Sequence, residues 1–277
     1  MTAVTLDFKL LEKAYFYFDK PVPYKLNNEK NVLIKPIYVP DEEIFLASAN
    51  ILQIDKNSSS SVEIIQMSYL DFLIDILLPA DESGTLCDKL YNILHLCLGI
   101  EDFWIKTDNK GRHSLYAKKE DIEINRRQFD DIRRIIMYQN ILGYDDEYID
   151  PEIKAMMAKV DQIKGGDIEM PSIERQFAII TAHCGLSKSE QMKMTMRSHQ
   201  LLFKECAAEV DFITIRPIAL NNGKAKDLEH WIFRKKHDKF DGYMVSMKDY
   251  KKSFGGEGNI SQMDSNSEIA KLLSKQN

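Results

Sequence analysis

The sequence predicts an α+β fold in which helices dominate. Three observations carry this. Between Pro40 and Gly99, and again from Asn125 onward, apolar residues recur every three or four positions, the period of a helix with one buried face. The first 35 residues instead hold short runs such as Tyr15-Phe16-Tyr17-Phe18 and Val32-Leu33-Ile34, whose aromatic and β-branched side chains favour strands. Lastly, Phe103-Trp104-Ile105 and Ser114-Leu115-Tyr116 flank Asp108-Asn109-Lys110-Gly111. Two short apolar runs around a glycine-bearing turn predict a small β-hairpin.

In the mixed N-terminal part, residues 1–124, short strands or an extended arm come first. Pro21, Pro23 and Pro36 punctuate them, since proline cannot donate to a sheet ladder. Pro40-Asp41-Glu42-Glu43 reads as a helix start with acids in the first turn, where the dipole favours them. Ile44, Leu46, Ala47, Ile51 and Leu52 are its expected apolar positions. Asn57 and the serines from Ser58 to Ser61 form a loop. A second helix is expected over Val62–Leu78, carrying Ile65, Tyr69, Phe72, Leu73 and Leu77. A third runs from Thr85 to Gly99, a natural residue just past a helix end, with Leu86, Leu90, Leu94 and Cys97 as its stripe. Ile122-Glu123-Ile124 adds a strand after the hairpin.

The helical part, residues 125–254, opens at Asn125, a good N-cap, with Phe129, Ile132 and Ile136 following on one face. Pro151 suits the first position of a helix capped by Asp150, ending near Gly165-Gly166. Pro171-Ser172 opens a helix to Gly185. Ser187 with Glu190 makes a capping box for a helix that continues through Leu201-Leu202-Phe203 and Cys206-Ala207-Ala208 to the turn at Asn221-Asn222-Gly223. Residues 255–277 are rich in Gly, Ser and Asn and read as a flexible tail.

Chemistry is sparse. No CxxC pair joins the four cysteines, and no HExxH, GxSxG or phosphate-loop pattern occurs. Cys87 and Cys97 are expected as small core hydrophobes. Asp145-Asp146-Glu147 with Asp150 and Glu152 is the densest carboxylate group, but it lacks the alternation and central glycine of a calcium loop, so a solvated acidic turn is expected. These features predict a protein that is not an enzyme and needs no cofactor or metal. No stretch approaches the roughly 20 apolar residues of a membrane span. Asp7 and Lys9 stand where a signal peptide needs an apolar core, so a cytoplasmic protein is expected.

Against 37 Lys and Arg stand 43 Asp and Glu, a net charge of −6, which argues against a globally basic nucleic-acid binder. The charge is uneven. Ile141 to Glu174 holds nine acids and three bases, whereas Lys224 to Lys252 holds nine bases and five acids, interleaved with Trp231, Phe233, Phe240, Tyr243 and Tyr250. A solvated charged segment is the plain reading of residues 224–252. Protein docking and single-stranded nucleic-acid binding are its alternatives. The two opposite blocks could pair within the chain or between copies in a homo-oligomer.

Several strings resemble a family encoded in the tail modules of tailed bacteriophages that infect Gram-positive bacteria. They are Ile54-Asp55-Lys56-Asn57-Ser58, Met67-Ser68-Tyr69-Leu70-Asp71-Phe72, Phe129-Asp130-Asp131-Ile132-Arg133 and Tyr138-Gln139-Asn140. The longest is Tyr144-Asp145-Asp146-Glu147-Tyr148-Ile149-Asp150-Pro151-Glu152, and Met194-Thr195-Met196-Arg197 and His230-Trp231-Ile232 follow. The resemblance runs in pieces from about Leu33 to Phe233. It implies a tail-assembly chaperone or baseplate-hub assembly factor that binds the tape-measure protein or other tail proteins in the host cytoplasm. A structural tail or baseplate component of the virion is the alternative. The candidate partner-binding residues are Tyr69, Asp71, Phe72, Tyr138, Asp145, Asp146, Asp150, Trp231, Arg234 and Lys235. For Tyr69, Phe72 and Tyr138, core packing is the favoured reading.

Overall fold

Eleven α-helices, five short 3-10 or π segments and two small antiparallel sheets make up the described part of the chain, an α+β fold that is mainly helical. The computed structural model describes residues 6–26, 30–59, 61–165, 171–223, 228, 230–233 and 243. The expected tail, residues 255–277, lies outside them, as do Arg234 and Lys235.

The chain opens with α1 (Phe8–Ala14), capped by Asp7, whose carboxylate accepts from the Leu10 amide at 3.1 Å. The following Phe16–Phe18 is a single 3-10 turn, not the expected strand. Only Phe16 is buried while Tyr17 and Phe18 face outward, and Asp19 turns the chain in a left-handed conformation (φ 54°). The run has no alternation to offer a sheet. β1 (Val22–Lys25) and β2 (Asn31–Ile34) then pair antiparallel, with Val22 opposite Ile34 and Val22, Val32 and Ile34 turned inward.

α2 (Glu42–Ala49) continues into a 3-10 turn over Asn50–Leu52. Its inward face is Phe45, Ser48, Ala49, Ile51 and Leu52, so Ile44, Leu46 and Ala47, expected inside, are exposed. Phe45 is the larger side chain and takes the inward place. The expected continuous helix from Val62 to Leu78 is broken into α3 (Val62–Gln66), α4 (Tyr69–Phe72) with a π turn over Leu73–Leu77, and α5 (Leu78–Ala80). Ser68 causes the break. Its hydroxyl accepts from the Asp71 amide at 3.1 Å, competing for the backbone and starting a new helix. α6 (Thr85–Leu98) ends at Gly99 in the left-handed conformation, as expected, and packs on α2. Cys97 is buried as expected, but Cys87 is exposed. The first turn of α6 overhangs the core, and burial begins at Leu90.

β3 (Trp104–Thr107), β4 (His113–Ala117) and β5 (Ile122–Asn125) form the second sheet in that order, so both the hairpin and the added strand are present. α7 (Arg126–Asn140) starts with a capping box between Asn125 and Gln128. Its Phe129, Ile132, Ile135, Ile136 and Met137 join the same apolar cluster as β2, α4 and β5, so the core runs across residue 124. α8 (Pro151–Gly165) is capped by Asp150, whose Oδ1 accepts from the Glu152 amide at 2.9 Å.

α9 (Ile173–Cys184) is capped by Ser172 and stopped at Gly185, and α10 (Lys188–Gln191) opens with the expected capping box. α10 does not continue. The chain breaks at residues 192–195 before α11 (Met196–Asn221). The break serves a distant partner. The Val39 amide donates to the Met194 carbonyl at 3.1 Å, and the Met196 amide donates to the Ile37 carbonyl at 2.7 Å. Side chains tighten this clamp: Thr195 and Ser198 donate to Asp19 at 2.6 and 2.9 Å, and Arg197 donates to the Tyr138 carbonyl and to Glu12 at 2.9 and 2.7 Å. The base of α11 is thus fastened to the main body.

Candidate functional site

Three surfaces merit description. The first is a polar cleft of about 390 Å³ where the turn at Asp55-Lys56-Asn57 meets Arg133 of α7, the segment Tyr144–Ile149 and Lys154 of α8. Four of the quoted strings converge here, namely those containing Lys56, Tyr69, Arg133 and Tyr144. Most of the charges in it are committed to the fold. Lys56 donates to the carbonyls of Ile65 and Met67, closing the end of α3, and its burial lowers its pKa. Arg133 donates to the Leu52 carbonyl and lies 4.0 Å from the centre of the Tyr69 ring. Burial would raise the Asp55 carboxyl, but Lys154 at 3.0 Å and the Asn57 amide outweigh it and hold it below its ordinary value. The Tyr138 hydroxyl donates to Asp146 at 2.8 Å, and Arg134 pairs with the same carboxylate. The strings meet here because they build a joint.

This settles where the candidate residues stand. Tyr69 and Phe72 are core side chains, and the Tyr69 hydroxyl donates to the Ile51 carbonyl at 2.6 Å. Asp71 is buried and ties α4 to β4. It accepts from Ser68 Oγ at 2.7 Å and from the His113 amide at 3.3 Å. Tyr138 is half-buried and stacked on Phe8 at 4.1 Å between ring centres. Asp145 is exposed and accepts from the Glu147 amide at 2.8 Å, Asp146 is half-buried, and Asp150 is an exposed cap. Trp231 is half-buried beside His230, whose ring lies 4.9 Å from that of Phe212.

The second surface is an apolar groove of about 610 Å³ between α2 and the α9–α10 pair, lined by Val39, Leu46, Ala47, Ile173, Phe177 and Met192. Glu42 stands at its edge, only 9% exposed. Its Oε1 accepts from Gln200 Nε2 at 2.8 Å, while Oε2 has no partner among the described residues, and burial raises its pKa. A carboxyl whose folded pKa is raised costs stability as pH climbs through its unfolded value of 4.5. Glu42→Gln keeps an acceptor for Gln200 and removes the charge. It is expected to stabilise the protein at pH 7 by on the order of 1 kcal/mol, with the gain vanishing near pH 4. Thermal unfolding of both forms at the two pH values checks this.

The third surface lies on α11. His199, Phe203, Cys206, Val210, Ile213, Pro217 and Leu220 follow one another at alternating spacings of four and three, a seam of the kind that packs helix on helix. Its first half is covered by α9. Phe177 lies 5.2 Å from the His199 ring, Cys184 touches Cys206, and His183 Nε2 is 2.9 Å from Glu209. α9 ends there. Beyond it Val210, Ile213 and Leu220 are 49%, 60% and 56% exposed. Phe212, which His230 approaches, lies about 100° around the helix from Ile213, on the flank of the seam. The seam is legible in the residues only as a three-four spacing, and none of its members is among the residues expected to bind a partner.

No protein-family model, curated protein or solved structure matches the chain. Among the described residues, no group of three or more His, Cys, Asp or Glu side chains could hold a metal ion, and no helix is long and apolar enough to cross a membrane.

Proposed function

We propose that this protein is a bacteriophage tail-assembly chaperone that acts by binding, not by catalysis. Its partner is the tape-measure protein or another tail protein, held in the host cytoplasm before the tail tube polymerises. The observation that carries the reading is the α11 seam. Among the described residues, the face that α9 covers from His199 to Cys206 continues with Val210, Ile213 and Leu220 exposed. A face built to pack on one helix accepts a second helix of the same kind, an amphipathic segment with apolar residues at three-four spacing. The apolar groove between α2 and α9 offers a further strip for the same client. The acidic stretch from Ile141 to Glu174 keeps such a complex soluble. The quoted phage-like strings agree with this reading, and so does the absence of any recognisable catalytic motif from the sequence.

The test is co-expression of the chain with a bacteriophage tape-measure protein. The expected result is a soluble, co-purifying pair, with the chain missing from finished virions. A tape-measure protein that stays insoluble overturns the proposal. Stoichiometric recovery of the chain from virions overturns it in favour of a structural tail or baseplate component, for which the uncovered seam would be a permanent contact. Nucleic-acid binding through residues 224–252 would instead show a steep loss of affinity with salt.

A further inference from the structure

We propose that Cys184 and Cys206 are a redox-active pair that closes into a reversible disulfide, stapling the end of α9 to the middle of α11. The two sulfurs are 3.4 Å apart on different helices. That is ordinary van der Waals contact, and a disulfide needs them about 1.4 Å closer, at roughly 2.05 Å. Cys184 is the last residue of α9 and is followed by Gly185 in the left-handed conformation, so it sits where the helix stops and its side chain is exposed. Cys206 is buried within the α9–α11 layer. The arrangement therefore has an accessible sulfur to meet an oxidant and a shielded one positioned behind it. The remaining cysteines do not compete. Cys97 is sealed in the main core, and Cys87 lies on the exposed first turn of α6.

The oxidant is a peroxide. The Cys184 thiol loses its proton, and its sulfur takes one peroxide oxygen as the O–O bond breaks. This yields a sulfenic acid and one water. The Cys206 sulfur then attacks the Cys184 sulfur. The sulfenic hydroxyl leaves with the Cys206 proton as a second water, and the S–S bond forms. Two thiols give up two electrons, which reduce one peroxide. Burial, with the neighbouring Cys184 sulfur, pushes the Cys206 thiol up to about 11. Cys206 thus stays protonated and unreactive toward peroxide until Cys184 has been oxidised, which orders the two steps. A thiol reductant reverses the closure by exchange.

The staple would act on the joint where the covered half of the α11 seam gives way to the uncovered half. It holds α9 over Phe203 and Cys206 and so fixes how much of the seam stays free.

The experiment uses the full purified chain, reduced and then treated with a small excess of hydrogen peroxide without denaturant. The expected result is a mass lower by about 2 Da, loss of two titratable thiols, and one cross-linked peptide joining Cys184 to Cys206, all restored by dithiothreitol. Cys184→Ser and Cys206→Ser should each abolish the cross-link. Intermolecular dimers through Cys184, a cross-link involving Cys87, or stepwise oxygen addition without loss of mass would each overturn the proposal.

Discussion

Ile213→Asp combined with Leu220→Asp will leave the fold unchanged and abolish retention of the proposed helical partner. Both side chains are more than half exposed, at 60% and 56%, so the folded chain loses little by their replacement. Surface substitutions on a helix usually shift stability by within about 0.5 kcal/mol. In a complex the account is different. Burying an Ile or Leu against a partner contributes about 1.5–3 kcal/mol each, and an aspartate placed there brings an unpaired charge into an apolar contact. Affinity should fall at least 100-fold, about 2.7 kcal/mol at 1.36 kcal/mol per tenfold. Ile215→Asp is the control. Ile215 is also exposed, but it lies about 140° around the helix from Val210 at 100° per residue. Circular dichroism and thermal unfolding should be unchanged in both variants, with binding lost only in the double variant. Equal binding by both would remove the seam from the interface.

The second expected result is that Gln191→Leu detaches α9 from α11. Gln191 is fully buried and joins three helices. Its Nε2 lies within reach of the Phe177 carbonyl at 3.2 Å and of Thr181 Oγ1 and the Leu186 carbonyl at 3.0 Å. Its Oε1 faces His199 Nε2 at 3.2 Å. With the amide nitrogen donating elsewhere, Oε1 is the acceptor and His199 Nε2 carries the proton. Leucine has nearly the volume of glutamine but neither donor nor acceptor. The buried imidazole N–H and the Phe177 carbonyl would each lose this partner, at about 1–3 kcal/mol for each group left unsatisfied. A loss of about 3 kcal/mol is expected, read as a lower denaturant midpoint. Amide exchange should rise in α9 and α10 while α6 and α7 keep their protection.

Much of the fold was legible because its signals are local. The Asn125 cap, the Ser187–Glu190 box, Gly99, Gly185 and Pro151 each fall where they are expected, since caps need only neighbours in sequence. The three-stranded sheet followed from short runs around turns. What failed was set partly from a distance, whereas the break at Ser68 is a local cap inside a continuous apolar pattern. The break at residues 192–195 is held by Ile37 and Val39, which take its backbone hydrogen bonds, and its only local sign is Thr195, whose Oγ1 accepts from the Ser198 amide at 3.2 Å. Tyr15–Phe18 has strand composition, but only Phe16 is buried while Tyr17 and Phe18 face outward, so the run is a turn. In the acidic turn Asp145 and Asp150 are exposed, while Asp146 is half-buried because Arg134 and Tyr138 draw it inward. The seam of α11 was present as a spacing. Only the position of the last residue of α9 divides it into covered and uncovered halves.

The clamp at the base of α11 has a mechanical meaning. At 1.5 Å per residue this 26-residue helix is about 39 Å long. Asp19, Glu12, Ile37 and the Tyr138 carbonyl hold its first turn. It is therefore a cantilever. A tilt of about 5° at the clamp displaces the far end by about 3 Å, more than half a helical pitch. A client seated at Leu220 would pull on Arg197 through that arm, and any change in the N-terminal turn around Asp19 would swing the tip.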